Sequence, residues 1–273
     1  MISCPQCQAM FERRGPQSNN MTTLIRILCL LLLASTVQAQ LAPKLRGFRN
    51  LRIAGRYPIG NPISFWSFDE SSIGDTPRLD SVDSHDFSEA GEVPTAVGHL
   101  GGAAGPFDGG LLATAGWAFD GTFSWSFAGW VYFDNIGAGG TPLALYPGAN
   151  ASWFDVISTG TYLQWRVTTN QTDITTTVTS AWPLTNGVWY FIACGNDVVN
   201  DTIWISVNNE TVVTASCPVD FTCPASATLR FGVSRFIEYF QGRVDAWSYW
   251  PRKLEASDIN YLWNGGAGRN WPF

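Results

Sequence analysis

The carboxylates and histidines are the first residues to read for chemistry. Cleaving a glycosidic bond needs two facing carboxylates, about 5–5.5 Å apart for retention or 6.5–9.5 Å for inversion. From residue 61 onward the chain holds six glutamates, Glu70, Glu89, Glu92, Glu210, Glu238 and Glu255, scattered mostly over turns and loops. Its two histidines, His85 and His99, both fall in a loop-rich early region. No Gly-x-Ser-x-Gly nucleophile elbow is present. No catalytic residue is assigned, and the chain reads as a non-enzyme.

Calcium binding asks for less, namely several oxygen ligands gathered from loops. Asp80, Asp83, Asp86 and Asp108 are the acids in suitable loops. The same residues also suit a simpler reading, with Asp80 and Asp83 closing an Asx turn and Asp108 a hairpin.

A third constellation suits binding. In Thr202–Asn208, strand alternation turns Ile203, Ile205 and Val207 inward and leaves Trp204 among Thr202, Ser206 and Asn208. Tyr162, Gln164 and Arg166 likewise share one face of their strand, opposite Leu163, Trp165 and Val167. An outward aromatic flanked by hydroxyls and amides can stack on a sugar ring while its neighbours bond the sugar hydroxyls. Trp204, Tyr162, Gln164 and Arg166 are therefore the candidate ligand-binding residues. The alternative is a Trp204 covered by a loop or by a partner chain. Trp66, Trp130, Trp189 and Trp247 read as core.

These residues must be held by strands. From Ile63 the sequence runs in short apolar-alternating segments separated by Gly, Asn, Asp and Pro, as in sandwiches and barrels. Strands are expected at 63–68, 124–133, 152–158, 162–168, 174–179, 188–194, 202–208, 211–215, 228–233 and 242–250, with one short helix at 255–264 closed by Gly265-Gly266.

Upstream, Met21 to Arg26, the apolar run Ile27–Ala34 and Val37-Gln38-Ala39 have the layout of a secretory signal peptide cleaved before Gln40. The apolar run falls well short of the roughly 18 residues of a membrane span. An uncleaved anchor is the alternative. Cys4-Pro-Gln-Cys7 resembles half a zinc knuckle without its second half, and translation starting at Met21 would leave it out. The expected organisation is an upstream segment and signal peptide at 1–39, a basic lead-in at 40–60, and one domain at 61–273.

That domain carries eight basic and 21 acidic side chains, a net charge of −13. Such a surface repels phosphate backbones and argues against nucleic acid as a partner. Past residue 40 the cysteines are Cys194, Cys217 and Cys223. Cys217 and Cys223 flank a short loop and are expected to form a disulfide in an oxidising compartment. Cys194, within an apolar run, reads as a buried thiol. Asn150, Asn170, Asn200 and Asn209 each stand in a glycosylation sequon.

Several segments, in order, resemble laminin-G-like domains of the concanavalin A-like lectin/glucanase superfamily: Ile63-Ser-Phe-Trp66-Ser-Phe68-Asp69-Glu70, the turn Asp80 to Asp86, Phe107-Asp108-Gly109, Ser126-Phe127-Ala-Gly129-Trp130, Gly187-Val-Trp189-Tyr190, Thr202 to Asn209, and Phe240-Gln-Gly242-Arg-Val244-Asp245 through Ile259. The resemblance covers residues 61–270. It implies an all-β, antiparallel two-sheet jelly-roll sandwich with one short C-terminal helix, often with calcium near one rim. Of the candidate calcium ligands Asp108, Asp80 and Asp83, the resemblance favours Asp108. Hydrolases of this fold carry a Glu-x-Asp-x-Glu type strand, which this chain lacks. The resemblance points to an extracellular module recognising carbohydrate or a surface protein. A self-associating surface or virion subunit is the main alternative, and a glycoside hydrolase a weaker one.

Overall fold

The computed structural model describes residues 59–273, apart from 71–76, 121, 148–151, 170–173, 218–220 and 234–238. The signal peptide, the basic lead-in up to residue 58 and the sequons at Asn150 and Asn170 lie outside the described residues. Tyr57–Phe273 makes up one compact unit.

Two antiparallel sheets face each other. One contains β1 (Ser64–Trp66), β3 (Thr95–Val97), β4 (Gly102–Ala104), β6 (Trp125–Phe133), β11 (Trp189–Asp197), β12 (Thr202–Val207), β13 (Val213–Ser216) and β15 (Gly242–Trp250). Its order is β13-β12-β11-β6-β15-β4-β3, with β1 also paired to β15. The other contains β2 (Ser88–Ala90), β5 (Leu111–Asp120), β7 (Leu143–Tyr146), β8 (Trp153–Ser158), β9 (Tyr162–Thr169), β10 (Ile174–Pro183) and β14 (Thr222–Phe231), in the order β10-β9-β8-β7-β14-β5-β2. The expected jelly-roll sandwich is the one observed. Every expected strand is present. β2, β3, β4, β5 and β7 were not anticipated, because three are only three residues long and β5 and β7 are rich in Ala, Gly and Leu, with little β-branched patterning.

Alternation builds the core between the sheets. Ile203, Ile205 and Val207 of β12 meet Leu163, Trp165 and Val167 of β9 in one large cluster with Phe127, Phe154, Phe231 and Trp247. Packing is close at Gly129, where a Cβ would stand 2.4 Å from the Trp247 ring, so only glycine fits. A bulge in β15 at Ala246, with φ 49°, lets Trp247 and Tyr249 return to the core.

The eight-stranded sheet is covered on its outer face as well. The helix α1 (Ala256–Trp263) begins in a capping box between Glu255 and Asp258. It lays Ile259 and Leu262 into a second apolar cluster with Phe65, Trp130, Phe191, Trp204 and Trp250. Trp271 and Phe273 of the C-terminal tail pack against the same cluster.

Candidate functional site

The covering of that outer face decides the first binding candidate. Trp204 lies opposite Ile203 and Ile205, as alternation requires, yet it is fully buried under the second cluster. Its Nε1 has no hydrogen-bond partner among the described residues. Its polar neighbours are engaged internally: the Ser206 hydroxyl donates to the Glu210 carbonyl at 2.8 Å, and the Asn208 side chain accepts the Phe191 N–H at 2.9 Å. Trp204 is a core residue, not a ligand platform. Trp66, Trp130 and Trp247 are core as expected, whereas Trp189 is only partly buried.

Tyr162, Gln164 and Arg166 belong to the other sheet, so they share no surface with Trp204. Their side chains point away from the core, since Leu163, Trp165 and Val167 between them are fully buried. Tyr162 is 38% exposed. Gln164 Nε2 donates to the Thr179 hydroxyl across to β10 at 3.2 Å. Thr175, Thr177 and Thr179 pair with Thr168, Arg166 and Gln164 and form an exposed hydroxyl ladder. Arg166 is held by Asp155 of β8, its register partner, through bonds of 2.8 and 2.6 Å, and its guanidinium lies 5.6 Å from the Trp153 ring centre. At the end of this strip Tyr162 pairs with Pro183, next to Trp182, which is 37% exposed. Sequence reading missed Trp182. An aromatic beside a proline at a strand end was the available signal.

Two further residues extend the face. Tyr146 of β7 and Arg230 of β14 are outward and half-buried, with the guanidinium 4.2 Å from the Tyr146 ring centre. The lateral row Thr177, Arg166, Asp155, Ala144, Arg230 follows the sheet register.

The predicted calcium acids do not assemble. Asp108 and Asp83 are exposed, and among the described residues no group of three or more acidic, His or Cys side chains is placed to hold a metal. Asp80 closes an Asx turn: its Oδ1 accepts the N–H of Val82 at 2.9 Å and of Phe65 at 3.0 Å. Burial raises the Asp80 pKa, but the His85 imidazole 3.6 Å from its Oδ2 and the hydrogen bonds from these amides outweigh it and hold the carboxyl low. The nearby Asp80 carboxylate in turn raises the pKa of His85. Asp86 accepts the Asp80 N–H at 2.8 Å.

A different carboxylate is buried with one oxygen unsatisfied among the described residues. Asp245 Oδ2 accepts the N–H groups of His99 and Leu100, both at 2.7 Å, and Asp69 Oδ1 accepts that of Gly102 at 2.6 Å. These two acids clamp the 98–102 turn, while His99 lies flat on Trp130 at 3.6 Å between ring centres. Asp245 is almost wholly buried and its Oδ1 has no hydrogen-bond partner among the described residues. Burial pushes its pKa up to about 7, and nearby Asp69 adds to the shift.

Elsewhere, an open cleft of about 350 Å³ is lined by Ser124, Asp197, Val199, Asn200, Arg252, Lys253 and Glu255. Its buried acid is already satisfied: Asp197 accepts from Lys253 at 2.8 Å and from Asn200 at 2.7 Å. Cys217 and Cys223 are not bridged to each other, contrary to expectation. Both thiols sit in the inter-sheet core, as does Cys194. Burial pushes Cys223 to about 12 and Cys194 well above its ordinary value.

A family model described as the concanavalin A-like lectin/glucanases superfamily matches residues 107–260. The chain belongs to that superfamily. No curated protein sequence matches this superfamily member. Among solved structures it is similar to domain 4 of AbnA, a GH43 extracellular arabinanase from Geobacillus stearothermophilus in complex with arabinotriose, at 18% identity and TM-score 0.58, covering 77% of this chain and 98% of that one. It is also similar to the binding domain of Paraclostridial Mosquitocidal Protein 1, at 13% identity and TM-score 0.57, covering 76% and 52%. The botulinum neurotoxin serotype G binding domain follows at 12% and 0.56, covering 74% and 50%. This lectin/glucanase domain thus spans about half the length of the two toxin domains. At these identities the likeness is one of fold. No helix among the described residues is long and apolar enough to cross a membrane.

Proposed function

We propose that the protein is an exported, non-catalytic module that binds a saccharide on the outward face of its seven-stranded sheet, centred on β9 and β10. The observation that carries this reading is the strip itself. Tyr162, with Trp182 nearby in the chain pairing, offers exposed aromatic surface at one end, and Gln164, Thr177 and Thr179 supply amide and hydroxyl groups beside it. That mixture matches the apolar faces and hydroxyl rims of sugar rings. The fold relative complexed with arabinotriose supports the reading by analogy. The test is a glycan array with the purified full chain, followed by calorimetry on the best ligand. Specific binding lost in Tyr162→Ala supports the reading; absence of any specific glycan signal overturns it. Incubation of the hits with the protein should release no new reducing ends.

Self-association through sheet edges is the second reading, because β10 is a ten-residue edge strand with an exposed threonine row. Size-exclusion chromatography separates the two. Calcium, if bound, would be held by Asp245 and Asp69, where it would supply the positive charge that the buried Oδ1 of Asp245 lacks.

A further inference from the structure

Arg230 differs from the other described arginines. Arg78 meets Glu89 at 2.8 Å, Arg166 meets Asp155 at 2.6 Å, Arg243 meets Asp134 at 3.3 Å and Arg252 meets Asp258 at 2.5 Å. Arg269 lacks an acid but donates its Nε to the Tyr261 carbonyl at 2.8 Å. Among the described residues Arg230 has no carboxylate within ion-pair distance and its buried Nε has no hydrogen-bond acceptor. Burial lowers its pKa, the sign expected of a cation short of counter-charge.

Its position is also specific. Arg230 stands in the same lateral row as Arg166, three strand spacings away, or about 14 Å. Between them Ala144 bears only a methyl group, and Asp155 is already occupied by Arg166. The Arg230 guanidinium is held over the Tyr146 ring, its Cζ 4.2 Å from the ring centre. A planar, partly desolvated fork held over an aromatic ring is suited to the two oxygens of a carboxylate or sulfate. A neutral sugar would leave it without a counter-charge. The domain's net charge of −13 repels anions at a distance, so selection here is by contact and not by steering.

We infer that the outward face of the seven-stranded sheet takes an acidic saccharide, whose carboxylate or sulfate ester is received by Arg230 on its Tyr146 platform. This rests on the saccharide-binding reading of the same face and adds the ligand's charge to it.

The test uses the full chain on an array carrying uronate and sialylated glycans, their carboxyl-reduced counterparts, sulfated glycans with desulfated counterparts, and an acidic peptide. The expected result is at least about tenfold tighter binding to one acidic class than to its neutral counterpart. The two acidic arms tell carboxylate from sulfate. Arg230→Met, which keeps an apolar contact with Tyr146, should abolish that preference, bringing the acidic class to the affinity of its neutral counterpart. Its melting temperature should hold or rise, because an unpaired, half-buried charge has been removed; Arg230→Lys serves as the second variant should Arg230→Met fold poorly, and should lose most of the preference with the bidentate geometry. Equal binding of acidic and neutral members, or a preference that survives both substitutions, overturns the inference while saccharide binding stands. Arg230-dependent capture of the acidic peptide alone overturns the saccharide class. If no glycan binds, wild type or variant, the underlying reading fails with it.

Discussion

Arg166 and Asp155 face each other from adjacent strands, joined by hydrogen bonds of 2.8 and 2.6 Å, with the aspartate almost wholly buried. Removing one partner breaks a buried charge pair, which costs about 3 kcal/mol or more. Asp155→Ala should therefore lower stability by about that amount in chemical denaturation. Arg166→Ala is expected to do the same, so its loss of binding would not report on ligand contact. An unchanged denaturation midpoint in Asp155→Ala would show that the pair is dispensable.

Tyr162 and Gln164 make the cleaner tests. Tyr162→Ala should weaken saccharide binding about tenfold, equivalent to about 1.4 kcal/mol, and leave the melting temperature within about 2 °C, since an exposed side chain leaves no cavity. Gln164→Ala should give a smaller loss through one or two hydrogen bonds. Calorimetry and a thermal melt of each variant provide both readings.

Trp204 should respond in the opposite way. Trp204→Ala empties a fully buried site beneath the second cluster and should cost about 3–5 kcal/mol, or roughly 10 °C in melting temperature for a domain of this size. Binding by the variant at a temperature where it remains folded should be unchanged, because Trp204 and the β9–β10 strip lie on different sheets. A stable variant with weakened glycan binding would return Trp204 to the ligand surface.

Asp245 sets a pH dependence. Its folded pKa of about 7 stands above the unfolded value of about 4, so the folded state holds more protons between those values. In chelator, stability should fall as pH rises from about 4 to 7 and level off beyond. The full drop is at most about 4 kcal/mol, at 1.36 kcal/mol per unit. Asp245→Asn should flatten this slope. Calcium added at pH 8 should raise the melting temperature of the wild type and not of Asp245→Asn; a wild type indifferent to calcium removes the cation from this site.

Thiol chemistry checks the unbridged cysteines. Cys194 and Cys223 are buried and their pKa values are raised, so native protein at pH 8 should react with thiol reagents slowly, and denaturation without reductant should release both. A non-reducing peptide map containing a 217–223 bridge would contradict the structure.

Much of the fold is legible in the sequence because strand periodicity is a local property. Alternation along Tyr162–Thr168 and Thr202–Asn208 assigned each residue to a face, and both assignments hold. Capping and glycine signals marked α1, observed at Ala256–Trp263. Strands such as β4 and β7 escaped notice because they are short or built of residues with weak strand preference, and pairing with distant partners holds them in place.

What a local pattern does not contain is the covering of a face. Trp204 and Tyr162 look alike in sequence, each an outward aromatic among polar neighbours. Trp204 is buried because α1 and the C-terminal tail, some 50 residues or more downstream, spend their apolar stripe on that sheet. Among the described residues no helix or tail lies over the β9–β10 strip. The same holds for charge. The sequence counts the acids and arginines, and its pattern places Arg166 outward. Only the tertiary structure pairs Arg166 with Asp155, leaves Arg230 beside Tyr146 with no counter-charge among the described residues, and buries one oxygen of Asp245 with no donor among them. Ion pairing and desolvation depend on which distant strands become neighbours, and that is decided when the two sheets close on their common core.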